Sequence, residues 1–305
     1  MTKKIGFWII LGVVTALPSS DANSQYRDGA VRTARWLQAT AISDRDGVVW
    51  HADPTDPKTL TTSLYAGTPG PILFLLETAR STGDATYLAT AHRAADALVA
   101  AIPTQKEPGL YAGLAGTGFT LGEAYLVTRD DRYRTAALEC VKRLQDTATT
   151  IGRGAQWNET TDYRLYQTTR DAMWLTWTQK AARAAVASGA PQKVVTPGEW
   201  DNVSVCCGVT GQAQFFLDMY EVTKAQPYLD LARKASDLLV AKATTDEQGM
   251  RWVQAETRVK PEVRVAQTGL MQGASGIGLW LLHFDDYLQK KRGAVITLPD
   301  NPFTY

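Results

Sequence analysis

Two of the three cysteines in this 305-residue chain are adjacent. They are Cys206 and Cys207, in the stretch SVCCGVTG that runs from Ser204 to Gly211. A Gly-x-x-Gly and an apolar helical run follow directly. A helix start supplies positive potential, which favours thiolate chemistry. From the residues alone three readings stay open: two ligands of a zinc ion, a vicinal disulfide, or two thiols packed at a helix start. Zinc takes three or four protein donors in a tetrahedral array. His51, His283, Glu199 and Asp201 are the further donors to weigh, and spacing selects none of them. Cys140 falls on an apolar helical stripe and reads as core, and His92 reads as a surface residue of the same kind of helix.

Other chemistry has candidates too. The long connection Gly249 to Gly269 carries Arg251, Trp252, Glu256, Arg258 and Gln267 just ahead of a late helix. Such a loop forms a natural substrate lip, so Trp252, Glu256, Arg258 and Gln267 are the expected substrate-binding residues. Glycan cleavage would need a pair of carboxylates, one acid and one base or nucleophile. Glu159, Asp162, Asp201 and Glu256 lie near expected helix starts. The chain shows no phosphate-binding loop and no nucleophile elbow.

The elements that must carry these residues repeat along the chain. Four Gly-x-x-Gly pairs, Gly67/Gly70, Gly113/Gly116, Gly208/Gly211 and Gly273/Gly276, each open an apolar run. Runs apolar on several faces predict buried helices. A Thr stands fifteen residues after the first Gly of three pairs, at Thr82, Thr128 and Thr223, and a Tyr five residues later, at Tyr87, Tyr133 and Tyr228. Each Tyr begins a one-sided stripe at helical spacing: Tyr87, Ala91, Ala94, Ala95, Leu98; then Tyr133, Ala137, Cys140, Val141, Leu144; then Tyr228, Ala232, Ala235, Leu238, Leu239. The unit is a buried inner helix, a turn and a half-exposed outer helix. No strand-rich alternation appears, so the predicted fold is all-α, a toroid of helical hairpins.

A Gly-x-x-Trp motif precedes two of the pairs, at Gly47–Trp50 and Gly249–Trp252, and reads as a loop before an inner helix. Gly154–Trp157 matches it, yet only twelve residues separate Trp157 from Thr169, the next turn landmark. That leaves no room for an inner helix, and the expected ring is incomplete or irregular.

With this frame the chain resembles the lanthionine synthetase C-like family. The resemblance spans about Tyr26 to Leu288. It is carried by the repeat frame, by a cysteine ahead of a late Gly pair, and by the closing stretch QTGLMQGASGIGLWLL. It implies an α/α toroid, which in the family has seven hairpins. It also implies relation to cyclases that use a central zinc to activate a peptide thiol for addition to a dehydrated Ser or Thr. The family holds zinc with a Cys of a Trp-Cys-x-Gly element, then the Cys and His of a Cys-His-Gly element. Cys206 stands in that Cys place, and Cys207 stands where the family has His. Gly152 and Arg153, ahead of Gly154, supply no counterpart of the earlier Cys.

Composition bounds the rest. Lys3 and Lys4, the apolar run from Ile5 to Leu17 and the small residues around Ala22 predict a secretory signal over residues 1–22. A single toroid domain is expected over 23–305, in a periplasmic or secreted protein without a membrane span once the signal is removed. Of 32 Lys and Arg and 31 Asp and Glu, the first 22 residues hold two Lys and one Asp, so the remainder is formally neutral. Nothing in that balance calls for nucleic acid. The expected partner is a peptide or small molecule in the central cavity. The cyclase-like function stands beside two alternatives: a glycan-active toroid of the six-hairpin glycosidase type, and a non-catalytic toroid that binds a peptide or other partner.

Overall fold

The computed structural model describes residues 21–147, 149–151, 154–156, 183, 186, 189–191, 202–255, 260–291, 296 and 298. Within them are eight helices: α1 (Asp21–Thr40), α2 (Pro69–Thr82), α3 (Ala85–Ala101), α4 (Leu114–Thr128), α5 (Asp131–Thr147), α6 (Val209–Thr223), α7 (Gln226–Lys242) and α8 (Ala274–Leu288). The four expected inner helices are α2, α4, α6 and α8, and each begins within its Gly-x-x-Gly pair. Outer helices α3, α5 and α7 pack on the inner helix that precedes them. The last inner helix finds its outer partner at the other end of the chain, because α1 lies along α8. Inner helices adjoin in the order α4, α2, α8, α6. The fold is an α/α toroid of inner and outer helices. The segment expected to lack an inner helix, Trp157 to Thr169, lies outside the described residues, as do Glu159, Asp162 and Asp201.

The sequence landmarks have local causes. Thr82, Thr128 and Thr223 each close an inner helix by donating to the carbonyl four residues back, at 2.7, 2.7 and 2.6 Å. Each also accepts the N–H two residues on, at 3.2 Å in all three turns. The residue after each Thr, namely Gly83, Arg129 and Lys224, is left-handed and caps the helix through its own N–H. Asp84 and Asp130 then accept N–H groups of the next helix at 2.9 and 3.0 Å, so chain reversal takes very few residues.

Outer helix α3 buries the expected stripe, Tyr87, Ala91, Ala94, Ala95 and Leu98. In α5 the buried residues are Tyr133, Ala136 and Cys140, and Val141 is 47% exposed. The stripe expected there was one residue too wide. In α7, Ser236 joins Ala232, Ala235 and Leu239 in the interior. α8 is buried from Ala274 through Leu282 and again from Phe284 to Asp286. Each large apolar side chain fully buried this way contributes about 1.5–3 kcal/mol.

The Gly-x-x-Trp motifs are short antiparallel hairpins rather than loops: β1 (Ile42–Asp44) with β2 (Gly47–Val49), and β5 (Thr244–Asp246) with β6 (Gly249–Arg251). Gly154 opens β4 (Gly154–Gln156), which pairs with β3 (Thr149–Ile151). Strands of three residues are too short for an alternating pattern to register in sequence. Gly47 and Gly249 have φ of +151° and +128° and lie against the carbonyls of Arg93 and Arg32 on outer helices. A side chain at either position would be strained and would clash. Trp50 and Trp252, which end the first and last of these motifs, turn inward, and each indole N–H reaches a carbonyl thirteen residues back. Trp50 donates to Leu37 and Trp252 to Leu239, both at 2.7 Å.

Candidate functional site

The loops ahead of the four inner helices wrap those helices in one repeated way. The first helical residue or its neighbour donates N–H to a carbonyl seven residues back: Thr68 to Thr61, Leu114 to Glu107, Val209 to Asn202 and Ala274 to Gln267. These bonds satisfy N–H groups that a helix start leaves orphaned. The second Gly of a pair lets an adjacent loop in. A Cβ on Gly116 would lie 2.9 Å from Leu64 Cβ, one on Gly70 2.6 Å from the Leu270 amide, and one on Gly276 2.8 Å from Val205 Cγ2. Leu64, Val205 and Leu270 are equivalent, each three residues ahead of a first Gly.

This stacking builds the mouth that holds the cysteines. The residues two ahead of each first Gly are linked by backbone from unit to unit. Cys206 N–H donates to Met271 O at 2.9 Å, Met271 N–H to Tyr65 O at 2.9 Å, and Tyr65 N–H to Tyr111 O at 3.0 Å. Both cysteines are exposed. Their sulfurs are 2.9 Å apart, well beyond the about 2.05 Å of a disulfide. Tyr65 Oη donates to Cys206 Sγ at 3.2 Å and accepts from Gln272 Nε2 at 3.0 Å. Gln254 supports the edge by donating to the Gln272 carbonyl and accepting the Val203 N–H at 2.8 Å. Burial, with the bond to Cys206, pushes the Tyr65 phenol up to about 12. It therefore keeps its proton at neutral pH.

The other expected site residues are scattered. Trp252 is 2% exposed and belongs to the core under α7, not to a substrate lip. Gln267 is buried, and its carbonyl accepts the Ala274 N–H at 2.8 Å, so it serves the start of α8. Glu256 and Arg258 lie outside the described residues. They fall between β7 (Val253–Ala255) and β8 (Arg264–Ala266), which pair as a hairpin. Cys140 is core as expected, with burial pushing its thiol up to about 11. His92 is half-buried rather than on the surface, with Nδ1 2.9 Å from Tyr133 Oη. His51 is half-buried beside the β-bridge partner Leu60.

Zinc ligation is one of the three readings open for Cys206 and Cys207. Among the described residues no three His, Cys, Asp or Glu side chains come together as a metal would require. Two adjacent sulfurs fall short of the three or four donors zinc takes from protein. The described residues alone do not complete a zinc site, Glu199 and Asp201 lie outside them, and no chemical step below depends on a metal.

A second polar level has a simple signal in the sequence. Seven residues after the second Gly of each pair stand Glu77, Glu123, Asp218 and His283. Seven residues is nearly two full turns, so each lies about 10 Å below its Gly on almost the same helix face. Glu77 is buried and paired with Arg80, which also bonds Asp286 at 2.8 Å. Among the described residues, Asp218 Oδ1 and His283 Nε2 are shut off from solvent without a hydrogen-bond partner. At His283 the enclosed ring nitrogen thus stays unsatisfied among the described residues. Burial, with the nearby Arg80, holds its imidazole down to about 3. Burial, with Glu221, pushes the Asp218 carboxyl up to about 8.

These shifts give opposite pH slopes. Between its ordinary 3.8 and about 8, Asp218 is protonated in the folded chain and ionised in the unfolded one. Stability is therefore lost as pH rises through that window, by about 1.4 kcal/mol per unit. His283 is neutral when folded and charged when unfolded between about 3 and 6.5, so its contribution is lost as pH falls. Above pH 6.5 only the Asp218 slope remains of the two. Urea unfolding should show Asp218→Asn gaining about 2 kcal/mol on the wild type between pH 6.5 and 8. A constant difference would mean that Asp218 is already ionised in the folded chain.

Comparison with known proteins follows this geometry. Residues 172–294 match the family model of lanthionine synthetase C-like protein, a span that includes Cys206 and Cys207. A search of curated proteins finds no match. Among solved structures, the GH76A α-1,6-mannanase from Salegentibacter sp. HEL1_6 aligns with TM-score 0.46 and 12% identity, over 86% of this chain and 99% of its own. The GH76 α-mannanase of Bacteroides thetaiotaomicron aligns with TM-score 0.35 and 14% identity, over 88% and 86%. Nisin cyclase aligns with TM-score 0.29 and 15% identity, over 88% of this chain and 58% of its own.

Proposed function

We propose that this chain, lanthionine synthetase C-like over residues 172–294, is an exported enzyme of the peptide thioether cyclase type, with the Cys206–Tyr65 pair as its reactive centre. The observation that supports it is the exposed Cys206 sulfur held 3.2 Å from a phenol that retains its proton. The reaction adds a substrate thiol across the alkene of a dehydrated Ser or Thr. Sulfur bonds to the β-carbon, and the proton goes to the α-carbon. Cys206 Sγ relays the proton of the incoming thiol. Tyr65 delivers its own proton from Oη to the α-carbon. Proton return from Cys206 Sγ to Tyr65 Oη restores the pair, so no atom is gained or lost. Gln272, bonded to Tyr65 Oη, fixes the direction in which the phenol donates.

The assay uses a peptide with one Cys and one dehydroalanine. Ring formation consumes the thiol without changing the mass. Tyr65→Phe is expected to slow thiol loss about 100-fold, the usual scale for removing a general acid. Cys206→Ala should do the same, and the wild type should keep its rate in a zinc chelator. No acceleration over the uncatalysed peptide overturns the reading. Activity that requires zinc overturns the Tyr65 route specifically. Export is checked by mass: the recovered protein should begin near residue 23.

A further inference from the structure

The chain has three cysteines, so any disulfide within it joins two of them. Cys140 is buried in α5, and burial pushes its thiol up to about 11, which keeps it out of exchange with solutes. Cys206 and Cys207 are both exposed at the mouth, and their sulfurs already touch at 2.9 Å. Cys206 is tied by its N–H to the Met271 carbonyl and by its Sγ to the Tyr65 hydroxyl. Just beyond Cys207, Gly208 donates its N–H to Ser204 O at 3.2 Å, which closes the turn that carries both cysteines. From 2.9 Å to the about 2.05 Å of an S–S bond, the sulfurs have about 0.9 Å to travel.

Adjacent residues close the smallest ring a disulfide can make, so such a bond is strained. A strained and exposed disulfide is the labile kind, made and broken by small thiols rather than kept as a staple. Two thiols side by side also resolve a mixed disulfide readily. When one sulfur is capped by a small thiol, the other is within reach to expel the cap.

We propose that Cys206 and Cys207 form a redox-active dithiol, a site for low-molecular-weight disulfides that closes into a vicinal disulfide and reopens. One thiolate attacks a sulfur of the solute disulfide RSSR and expels RS⁻, leaving a mixed disulfide. The second thiolate attacks the protein sulfur of that mixed disulfide and expels the other RS⁻. The two protein protons end on the two RSH, so the pair loses two electrons and the solute gains them. Closure also removes the Cys206 S–H, which would stop the proton relay proposed at the mouth. That consequence alone rests on the cyclase reading.

The test equilibrates the full chain in glutathione buffers of rising disulfide content, quenches with iodoacetamide in denaturant and reads the mass. The alkylated cysteines should fall from three to one, the survivor being Cys140, and the fragment holding Ser204 to Gly211 should lose two hydrogens. Reduced glutathione alone should reopen the bond. Under the same oxidation Cys207→Ala should instead keep one glutathione on Cys206. The proposal is overturned if all three cysteines stay alkylated at every ratio, if the wild type retains glutathione as the variant does, if the bond links two chains, or if reduced glutathione leaves it closed. Thiol addition is assayed on the same samples, where loss on closure and recovery on reopening are expected. A chain that forms the disulfide yet never catalyses thiol addition overturns the cyclase reading and leaves the dithiol standing.

Discussion

Gly276→Ala is expected to destabilise the protein by about 3 kcal/mol or more, read as a fall in the urea midpoint. The new Cβ would lie 1.8 Å from the Leu270 carbonyl oxygen and 2.8 Å from Val205 Cγ2. The oxygen belongs to backbone that closes the start of α8, so it cannot rotate away as a side chain would. Relief requires the Leu270 loop to move. Met271 in that loop accepts the Cys206 N–H, so the variant should also slow the proposed thiol addition. Gly122→Ala is the matched control. It too sits within an inner helix, but nothing lies within 4 Å of its added Cβ. It should gain up to about 1 kcal/mol from helix propensity alone. Equal behaviour of the two variants would show that the loop does not approach Gly276 as described.

Trp252→Ala is expected to cost about 3–5 kcal/mol, the range for truncating a buried Trp. The side chain is 2% exposed, and its indole N–H bonds the Leu239 carbonyl. Removing it leaves a cavity under α7 and an unpaired carbonyl. Trp252→Phe keeps an aromatic ring in place but loses the 2.7 Å hydrogen bond, and should cost about 1–2 kcal/mol. A residue on a substrate lip would behave differently. Its truncation would leave the thermal midpoint nearly unchanged and weaken only ligand binding. Thermal unfolding of the two variants therefore decides between core and lip.

Trp252 also shows why part of the site was illegible in the sequence. The Gly-x-x-Trp motif was visible, but the direction of the Trp was not. It depends on a carbonyl at the end of the preceding outer helix, met only when the hairpin folds back. Gln267 misled in the same way, since its role is a backbone bond to α8. At the level of Glu77, Glu123, Asp218 and His283 the signal was present, one titratable residue at the same step of each unit. It is seen only when the four Gly pairs are aligned and the step of seven is read as a helix face.

What the sequence by itself determined was the repeat: four inner helices opening at Gly pairs, the Thr that ends three of them, and outer helices with one apolar face. These follow from the 3.6-residue period and from caps formed within a few residues, so local sequence suffices. The tertiary structure decided which units touch. Tyr65 and Cys206 are 141 positions apart in the chain, and α1 packs on α8 from the other end of it. Those meetings arise when loops pack into the space that the second glycines leave open. The same packing places a phenol beside a thiol at the mouth.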